Sequence, residues 1–260
     1  MVESSVPAVP VTRLPFALTE TSVLAIIPAR YQSTRLPGKA LVDIAGRPMI
    51  EHVYRRAQSA STVDAVVVAT DDARIAEAVA AFGGTPVMTA ATHASGTDRL
   101  AEVAASVPCE LIVNVQGDEP LLDPAVIDAA IAPLRRDPSI HIGTAARPLH
   151  DASELTNPNM VKVVCDSRGR ALYFSRAPIP YGRDESAAAF ARIHIGLYVY
   201  RRETLLRIAQ LPPGRLERLE ALEQLRALEN GIGIHVVETN YHSAEVNTAE
   251  DLERVRQIVR

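Results

Sequence analysis

The stretch VLAIIP at Val23–Pro28 is a continuous apolar run with the length of one buried β-strand. Helical patterns and further apolar runs alternate after it, including DAVVVAT at Asp64–Thr70 and LIVNV at Leu111–Val115. Strands that alternate with helices of ten or more residues indicate right-handed crossovers and a parallel sheet covered on both faces. The sequence therefore predicts an α/β fold with a Rossmann-like, mostly parallel sheet.

The pattern changes after about residue 140. A turn signal at Asp166–Gly169 separates two apolar runs and predicts a β-hairpin. A strand is expected at His194–Tyr200, one helix at Glu217–Glu229, and a last helix that Thr248 caps. We therefore expect a flexible leader at residues 1–22 and one α/β domain at 23–260 with a hairpin-bearing insertion.

Composition excludes several functional classes. The chain has 260 residues with 27 Lys and Arg against 31 Asp and Glu, so it lacks the basic excess typical of nucleic-acid binding. No apolar run approaches the ~20 residues that cross a bilayer, and the prolines of the leader disfavour a signal peptide. We expect a cytoplasmic protein without nucleic-acid or membrane partners.

The loop after the first strand carries Arg30, Arg35 and Lys39 among Ser, Thr and Gly residues. Arginine offers forked donors to phosphate oxygens and lysine offers a point charge, so this loop is a candidate anion cradle. It lacks the GxxxxGK[ST] pattern of a Walker loop. A solvated basic loop remains the alternative interpretation.

A second candidate loop follows LIVNV and reads Gln116-Gly117-Asp118-Glu119-Pro120. A carboxylate at the carboxyl end of a central strand is well placed to hold Mg²⁺ against a triphosphate. The alternative is a turn acid that caps the next helix. Taken together, the two loops predict a nucleoside triphosphate site with a metal ion.

The string IIPARYQSTRLPGKAL resembles the start of the 3-deoxy-manno-octulosonate (Kdo) cytidylyltransferases, also called CMP-Kdo synthetases. Further matching strings follow in order: VATDD, HASGTDRLAEV, VNVQGDEP, NPNMVKVV, ALYFSRAPIPY, HIGLYVYR, LEALEQLRALENG and NTAEDLERV. The resemblance covers nearly all of residues 23–260. It implies a nucleotidyltransferase domain, a homodimer, and synthesis of a CMP-sugar from CTP with Mg²⁺ and release of pyrophosphate.

The resemblance also implies roles for individual residues. Arg30, Lys39 and Asp118 are the expected catalytic residues, with Asp118 as a magnesium ligand. The nucleotide would contact Pro28, Ala29, Arg30, Arg35, Lys39, Ser95, Gly96, Arg99 and Gln116. The sugar acid would contact Arg176, Tyr181, His194, Glu220 and Gln224.

The expected chemistry is in-line attack of the anomeric hydroxyl on the α-phosphorus of CTP. Arg176 would bind the substrate carboxylate in a bidentate way, unless it pairs with a local acid. Glu220 and Gln224, four residues apart, would share one helix face and receive hydroxyls, although a solvated face is the alternative. His194 is expected to contact a hydroxyl and not to act as a base.

One departure from the family pattern concerns the metal. Members of the family carry GVDT before the last helix, with the Asp as a magnesium ligand, whereas this chain has Glu245-Val246-Asn247-Thr248. Asn247 still offers a carbonyl oxygen but no charge. Because residues two apart in an extended segment point to one side, we expect Glu245 to restore the carboxylate.

A second departure lies before HIGLY. The family has Arg or Lys directly before that His, while this chain has Ile193 with Arg192 one place earlier. In a strand this shift moves the charge to the opposite face. A different acceptor, such as a related sugar acid or a small phosphonate, is therefore an open alternative, as is a catalytically impaired nucleotide-binding homologue.

Overall fold

In the computed structural model, the described residues are 14–32, 36–93, 95–183 and 190–259. The chain divides into two compact units, one formed by residues 1–127 with 243–260 and the other by 128–242. We call them unit 1 and unit 2 and describe each by itself. Most of the predicted leader lies outside the described residues, so its flexibility stays a prediction, as does the single domain at 23–260.

Unit 1 contains a parallel sheet in the order β6-β1-β4-β5. Every residue of β1 from Val23 to Ile27 is fully buried, as expected for a strand covered on both faces. The parallel sheet predicted from the sequence is therefore confirmed. The strands of unit 1 are β1 (Val23–Ala29), β2 (Asp43–Ile44), β3 (Arg47–Pro48), β4 (Ala65–Thr70), β5 (Pro86–Met88) and β6 (Leu111–Asn114).

The helices of unit 1 begin at recognisable caps. Asp72 accepts the backbone N–H of Arg74, and Ser95 forms a capping box with Asp98. Thr248 exchanges hydrogen bonds with Asp251 and caps the last helix as predicted. The helices are α1 (Met49–Gln58), α2 (Ala73–Ala81), α3 (Gly96–Ala105) and the last helix, Ala249–Val259, while Lys39–Leu41 forms a 3-10 helix.

Unit 2 contains strands β7 (Ile142–Pro148), β8 (Lys162–Cys165), β9 (Ala171–Ser175), β10 (Arg192–Arg201) and β11 (Ile234–Glu238). Strand β7 pairs in parallel with β11 and antiparallel with β10. Strands β8 and β9 form the predicted hairpin. Our sequence analysis did not predict β7, because its small residues, including Gly143 and Ala145, lack the β-branched pattern of a strand.

The helices associated with unit 2 are α4 (Pro124–Arg136, which begins in unit 1), α5 (Ser153–Thr156), α6 (Arg202–Ala209), α7 (Arg215–Glu220) and α8 (Leu225–Glu229); the last helix of the chain is α9. The single helix predicted at Glu217–Glu229 is wrong, because Ala221 adopts a left-handed conformation with φ 50°.

An ion pair accounts for this break. Arg226 donates to both carboxylate oxygens of Glu217 at 2.9 and 2.6 Å. Nine residues along a continuous helix would separate the two side chains by roughly 13 Å, so the pair requires the turn.

Among the described residues, no helix is both long enough and apolar enough to cross a membrane.

Candidate active site

Lys39 is held at the start of the 3-10 helix by a tight turn. Gly38 has φ +67°, a conformation that favours glycine, and its N–H donates to the carbonyl of Tyr31 at 3.1 Å. A Cβ atom at Gly38 would lie 3.3 Å from the ring of Tyr31. The turn therefore fixes the point from which the Lys39 side chain extends.

Three segments of unit 1 meet at Lys39. Its ammonium donates to Oδ2 of Asp118 at 2.7 Å and to Oδ1 of Asn247 at 3.3 Å. The loop of Asp118 also lies against β1, since a Cβ atom at Gly117 would be 3.1 Å from the carbonyl oxygen of Pro28. The loops after β1 and β6 and the segment before α9 thus form one polar site.

The segment before α9 is anchored by its apolar residue. Val246 is fully buried in a cluster with Ile44, Met49, Leu252 and Val255, and burial of such a side chain contributes about 1.5–3 kcal/mol. The N–H of Val246 donates to the carbonyl of Asp118 at 2.9 Å. This anchoring places Asn247 beside Asp118.

Glu119 is a buried carboxyl group next to this site. Ser243 donates to its Oε1 at 2.5 Å. Burial raises the pKa of Glu119 to about 8, with the Ser243 hydrogen bond opposing the shift and Glu245 and Asp118 adding to it. At neutral pH the side chain is therefore mostly protonated, and it joins the β6 loop to the segment before α9.

The residues predicted to hold magnesium lie together. Asn247 Nδ2 donates to Glu245 Oε2 at 3.0 Å, so these two side chains share one side of the chain as predicted. Asp118, Asn247 and Glu245 offer the hard oxygen donors that Mg²⁺ prefers, and a cationic ammonium already contacts two of them. The donor set therefore fits a divalent cation. Within the described ranges no group of three His, Cys, Asp or Glu side chains is arranged to hold a metal ion without an amide or backbone ligand.

Arg30 joins the loop after β1 to the start of α3. Its Nη2 donates to the carbonyls of His93 and Ser95 at 2.7 and 3.3 Å. Gly96 lies beside Pro28, since a Cβ atom there would be 3.7 Å from Pro28 Cγ. The structure thus brings together Pro28, Ala29, Arg30, Ser95 and Gly96 as expected, whereas Arg35 lies outside the described residues.

Arg99 is a fully buried arginine in α3. Its Nη1 donates to Thr89 Oγ1, and its Nη2 lies 3.3 Å from Asp71 Oδ1. Burial lowers its pKa and Asp71 opposes the shift. Its buried Nε has no hydrogen-bond partner among the described residues. Gln116 donates to Asn114 Oδ1 at 3.4 Å.

In unit 2, the Arg176 side chain is held by backbone carbonyls. It donates to Glu220 O at 2.8 Å, Pro158 O at 2.9 Å and Ala221 O at 3.4 Å. Its backbone N–H donates to Glu220 Oε2 at 2.9 Å. The guanidinium is therefore oriented by local groups, and its role toward a substrate carboxylate stays a prediction.

Lys162 stabilises the segment of Arg176 from the protein interior. Its side chain is completely buried, and its ammonium donates to the carbonyls of Asn157, Met160 and Arg176 at 3.0, 2.8 and 2.6 Å. Burial lowers its pKa, with Glu220 opposing the shift. Our sequence analysis missed this lysine, because nothing in the pattern KVV distinguishes a buried ammonium from an exposed one.

The prediction that Glu220 and Gln224 share a helix face is wrong. Glu220 ends α7 and Gln224 precedes α8, with the left-handed Ala221 between them. Glu220 accepts from Ser175 Oγ at 2.6 Å. Burial acts to raise the pKa of Glu220, but hydrogen bonds from the Arg176 N–H, Ser175 and Tyr173 outweigh it and leave the pKa lowered.

Glu223, which the sequence analysis did not single out, has a carboxylate oxygen without a hydrogen bond among the described residues. This oxygen, Oε1, is buried and lies 3.7 Å from Arg226. Its charge also raises the pKa values of the buried Tyr198 and Tyr200, after burial itself. The signal in the sequence was an acid directly beside Gln224.

His194 lies on β10 between the rings of Phe174 and Tyr198, at centroid distances of 5.1 and 5.2 Å. Its Nε2 is 3.0 Å from Thr144 Oγ1. Burial lowers the pKa of His194 to about 3, so the ring is neutral at pH 7 and a poor base. This supports the expectation that His194 does not act as a base, while its contact with a substrate hydroxyl stays a prediction. Tyr181 is 89% exposed.

The charge shift predicted around Ile193 is confirmed. Ile193 is buried, whereas Arg192 points the other way and its Nε donates to Glu238 Oε2 at 2.6 Å. The positive charge is therefore engaged on the face opposite to Ile193.

Comparison with known proteins identifies the family. The sequence profile of the family described as cytidylyltransferase matches residues 24–238. A 3-deoxy-manno-octulosonate cytidylyltransferase of Syntrophotalea carbinolica is 58% identical over 247 residues, covering 92% of this chain and 99% of that protein. The chain belongs to the 3-deoxy-manno-octulosonate cytidylyltransferase family.

Further relatives of this family agree. The Geobacter sulfurreducens 3-deoxy-manno-octulosonate cytidylyltransferase is 54% identical over 244 residues, covering 90% of this chain and 98% of that protein. A solved structure of a CMP:2-keto-3-deoxy-manno-octonic acid synthetase complexed with CTP is 45% identical with a TM-score of 0.88, covering 92% and 98% of the two chains. The family resemblance and the α/β nucleotidyltransferase fold are thereby confirmed.

Proposed function

We propose that this protein transfers CMP from CTP to the anomeric hydroxyl of Kdo and releases pyrophosphate. The observation that carries the proposal is the similarity, over nearly the whole chain, to a synthetase complexed with CTP. Relatives at 58% and 50% identity, from Syntrophotalea carbinolica and Pelobacter propionicus, both carry the octulosonate name. This agreement favours Kdo over another acceptor, despite the Ile193 departure.

The proposed role of unit 1 is to bind CTP. The ammonium of Lys39 and the guanidinium of Arg30 supply the donors for phosphate oxygens, and Arg35 adds a third cation to the same loop. Arg99, which is fully buried in α3, would help to frame the cytosine and ribose. Positioned cations stabilise the charge that spreads over phosphoryl oxygens in the transition state.

We further infer that the reaction depends on Mg²⁺. Asp118, Asn247 and Glu245 would hold the ion, which supplies charge neutralisation at the phosphates. The support is the oxygen donor set and the cation that Asp118 and Asn247 already contact.

The proposed role of unit 2 is to bind the sugar acid. Arg176, oriented by three carbonyls, offers its guanidinium to the carboxylate. Neutral His194 exchanges a hydrogen bond with a hydroxyl, and Glu223 accepts from another. In the reaction the anomeric oxygen forms a bond to the α-phosphorus, and the bond from that phosphorus to the pyrophosphate oxygen breaks.

We also propose a homodimer that acts in the cytoplasm. The support for the dimer is that large exposed apolar side chains concentrate in unit 2. These residues are Leu172, Tyr181, Phe190, Leu216 and Leu219. Analytical ultracentrifugation of the full chain should give twice the monomer mass, and a monomer at all concentrations would refute the dimer.

The test of the function is pyrophosphate release by the full chain with Mg²⁺. We expect release with CTP plus Kdo, and at least 100-fold less with ATP, UTP, or acceptors that lack the 2-keto acid. Asp118→Asn should abolish turnover, while Glu77→Gln, which changes an exposed acid of α2, should not alter it. Equal rates with all nucleotides, or CTP binding without pyrophosphate release, would contradict the proposal.

A further inference from the structure

The ammonium of Lys39 stands where a metal ion would have to bind. It lies 2.7 Å from Asp118 Oδ2 and 3.3 Å from Asn247 Oδ1, two of the three proposed metal ligands. The Lys39 and Asp118 side chains retain 20% and 23% exposure, so solvent and ligands reach the pair. A divalent cation that used the same oxygens would compete with the ammonium, because both need the same lone pairs and like charges repel.

The amide at Asn247 changes this competition. Its Nδ2 donates to Glu245 at 3.0 Å, which aims its Oδ1 at Lys39. An amide oxygen contributes a dipole, whereas a carboxylate would contribute a full charge, so the site attracts a divalent ion less strongly. The ammonium of Lys39 therefore neutralises a larger share of the negative charge of this site than it would if position 247 carried a carboxylate.

Phosphate gives the ammonium another partner. Lysine binds phosphate as a point charge on a flexible stem of four carbons, and it turns between partners more readily than the planar guanidinium of arginine. Lysine is rare in this chain, with two Lys and 25 Arg among its 27 Lys and Arg residues. Lys39 therefore places a flexible positive charge where both the phosphates and the divalent cation would bind.

We propose that Lys39 occupies the cation position of the free enzyme and that the triphosphate of CTP draws its ammonium away, so that nucleotide and divalent cation bind cooperatively. This inference rests on the proposed function, since it needs CTP phosphates beside Lys39. Linkage requires that each ligand strengthen the other by the same factor.

The first experiment measures Mn²⁺ binding to the full chain without nucleotide, by the electron paramagnetic resonance signal of the free ion. Lys39→Met should bind Mn²⁺ at least tenfold more tightly than the wild type, while Lys39→Arg should bind as weakly as the wild type. Arg56→Gln, which removes an exposed charge of α1, should change the affinity less than twofold. In Lys39→Met, adding Asp118→Asn should abolish the gain, which assigns the ion to this site.

The second experiment measures the coupling. CTP should tighten Mn²⁺ binding to the wild type at least tenfold, after correction for the Mn²⁺–CTP complex, and this factor should shrink in Lys39→Met. Asn247→Asp should tighten Mn²⁺ binding even with Lys39 present, and it provides a test if Lys39→Met does not fold. Equal Mn²⁺ affinities of Lys39→Met and wild type would overturn the inference. Pyrophosphate release by the wild type is measured separately, so either proposal can fail alone.

Discussion

The two lysines of the chain occupy opposite kinds of environment. Lys39 of unit 1 is partly exposed and contacts a carboxylate and an amide that belong to two other segments. Lys162 of unit 2 is completely buried and contacts three backbone carbonyls. Side-chain partners can be exchanged for a ligand at little cost, whereas the carbonyls around Lys162 hold an ammonium that solvent does not reach. The ammonium of Lys39 is therefore placed to exchange partners with a ligand, whereas that of Lys162 is a buried structural support.

Removing each ammonium gives the largest expected contrast. Lys162→Met removes the ammonium from three backbone carbonyls, of which Asn157 O still accepts the Met160 N–H, and should lower the free energy of unfolding by roughly 4 kcal/mol, at about 1–3 kcal/mol for each of the two groups left without a donor. Lys39→Met should lower it by less than about 1 kcal/mol, as for a partly exposed ion pair. Urea unfolding monitored by circular dichroism checks both. Similar losses of unfolding free energy in the two variants would show that the two lysines contribute equally to stability.

Acid titration tests the burial of a second ionisable side chain of unit 2, His194. The pKa of His194 is lowered by burial from 6.5 to about 3, so folding favours the neutral ring. Its contribution is fully present above pH 6.5 and is lost as the pH falls toward 3. Between pH 6.5 and 4 the free energy of unfolding should fall about 3 kcal/mol further in the wild type than in His194→Gln.

Denaturant titrations at each pH measure this difference. Parallel pH profiles of the two proteins would show that the ring is solvated and that the region around it is open. Glu77→Gln serves as the matched control, since it changes an exposed side chain of α2.

The smallest expected effect separates two acids of unit 2. Glu220→Gln disturbs a carboxylate that already accepts from Ser175 and the Arg176 N–H, and should lower stability by about 1–2 kcal/mol. Glu223→Gln should leave stability nearly unchanged but raise the KM for Kdo about tenfold, with the KM for CTP unaltered, if it accepts a substrate hydroxyl. Steady-state kinetics decides, and an unchanged KM for Kdo would remove Glu223 from the sugar site.

Much of unit 1 could be predicted from the sequence, because its signals are local. Buried parallel strands such as β1 read as apolar runs, and caps such as Thr248 recur at fixed offsets. The neighbouring positions of Glu245 and Asn247 followed from the period of an extended chain. These features depend on residues close together in the sequence.

What could not be predicted depends on distant contacts. The left-handed Ala221 carries no glycine signal and is explained by the Arg226–Glu217 pair, which only the fold brings together. Strand β7 is formed by pairing with β10 and β11, not by its own propensity. The carbonyl partners of Arg176 and Lys162 are backbone atoms, and no residue type in the sequence marks them.

The contact between Gly117 and Pro28 limits how this enzyme can vary. A side chain at 117 would begin 3.1 Å from the Pro28 carbonyl, so even a methyl group would require the Pro28 backbone to shift slightly. The close approach of the two backbones places the loop that carries Asp118 directly against the end of β1. Position 117 therefore tolerates a side chain only if the Pro28 backbone moves, while the proposed metal ligands, as Asn247 illustrates, can change without such a movement.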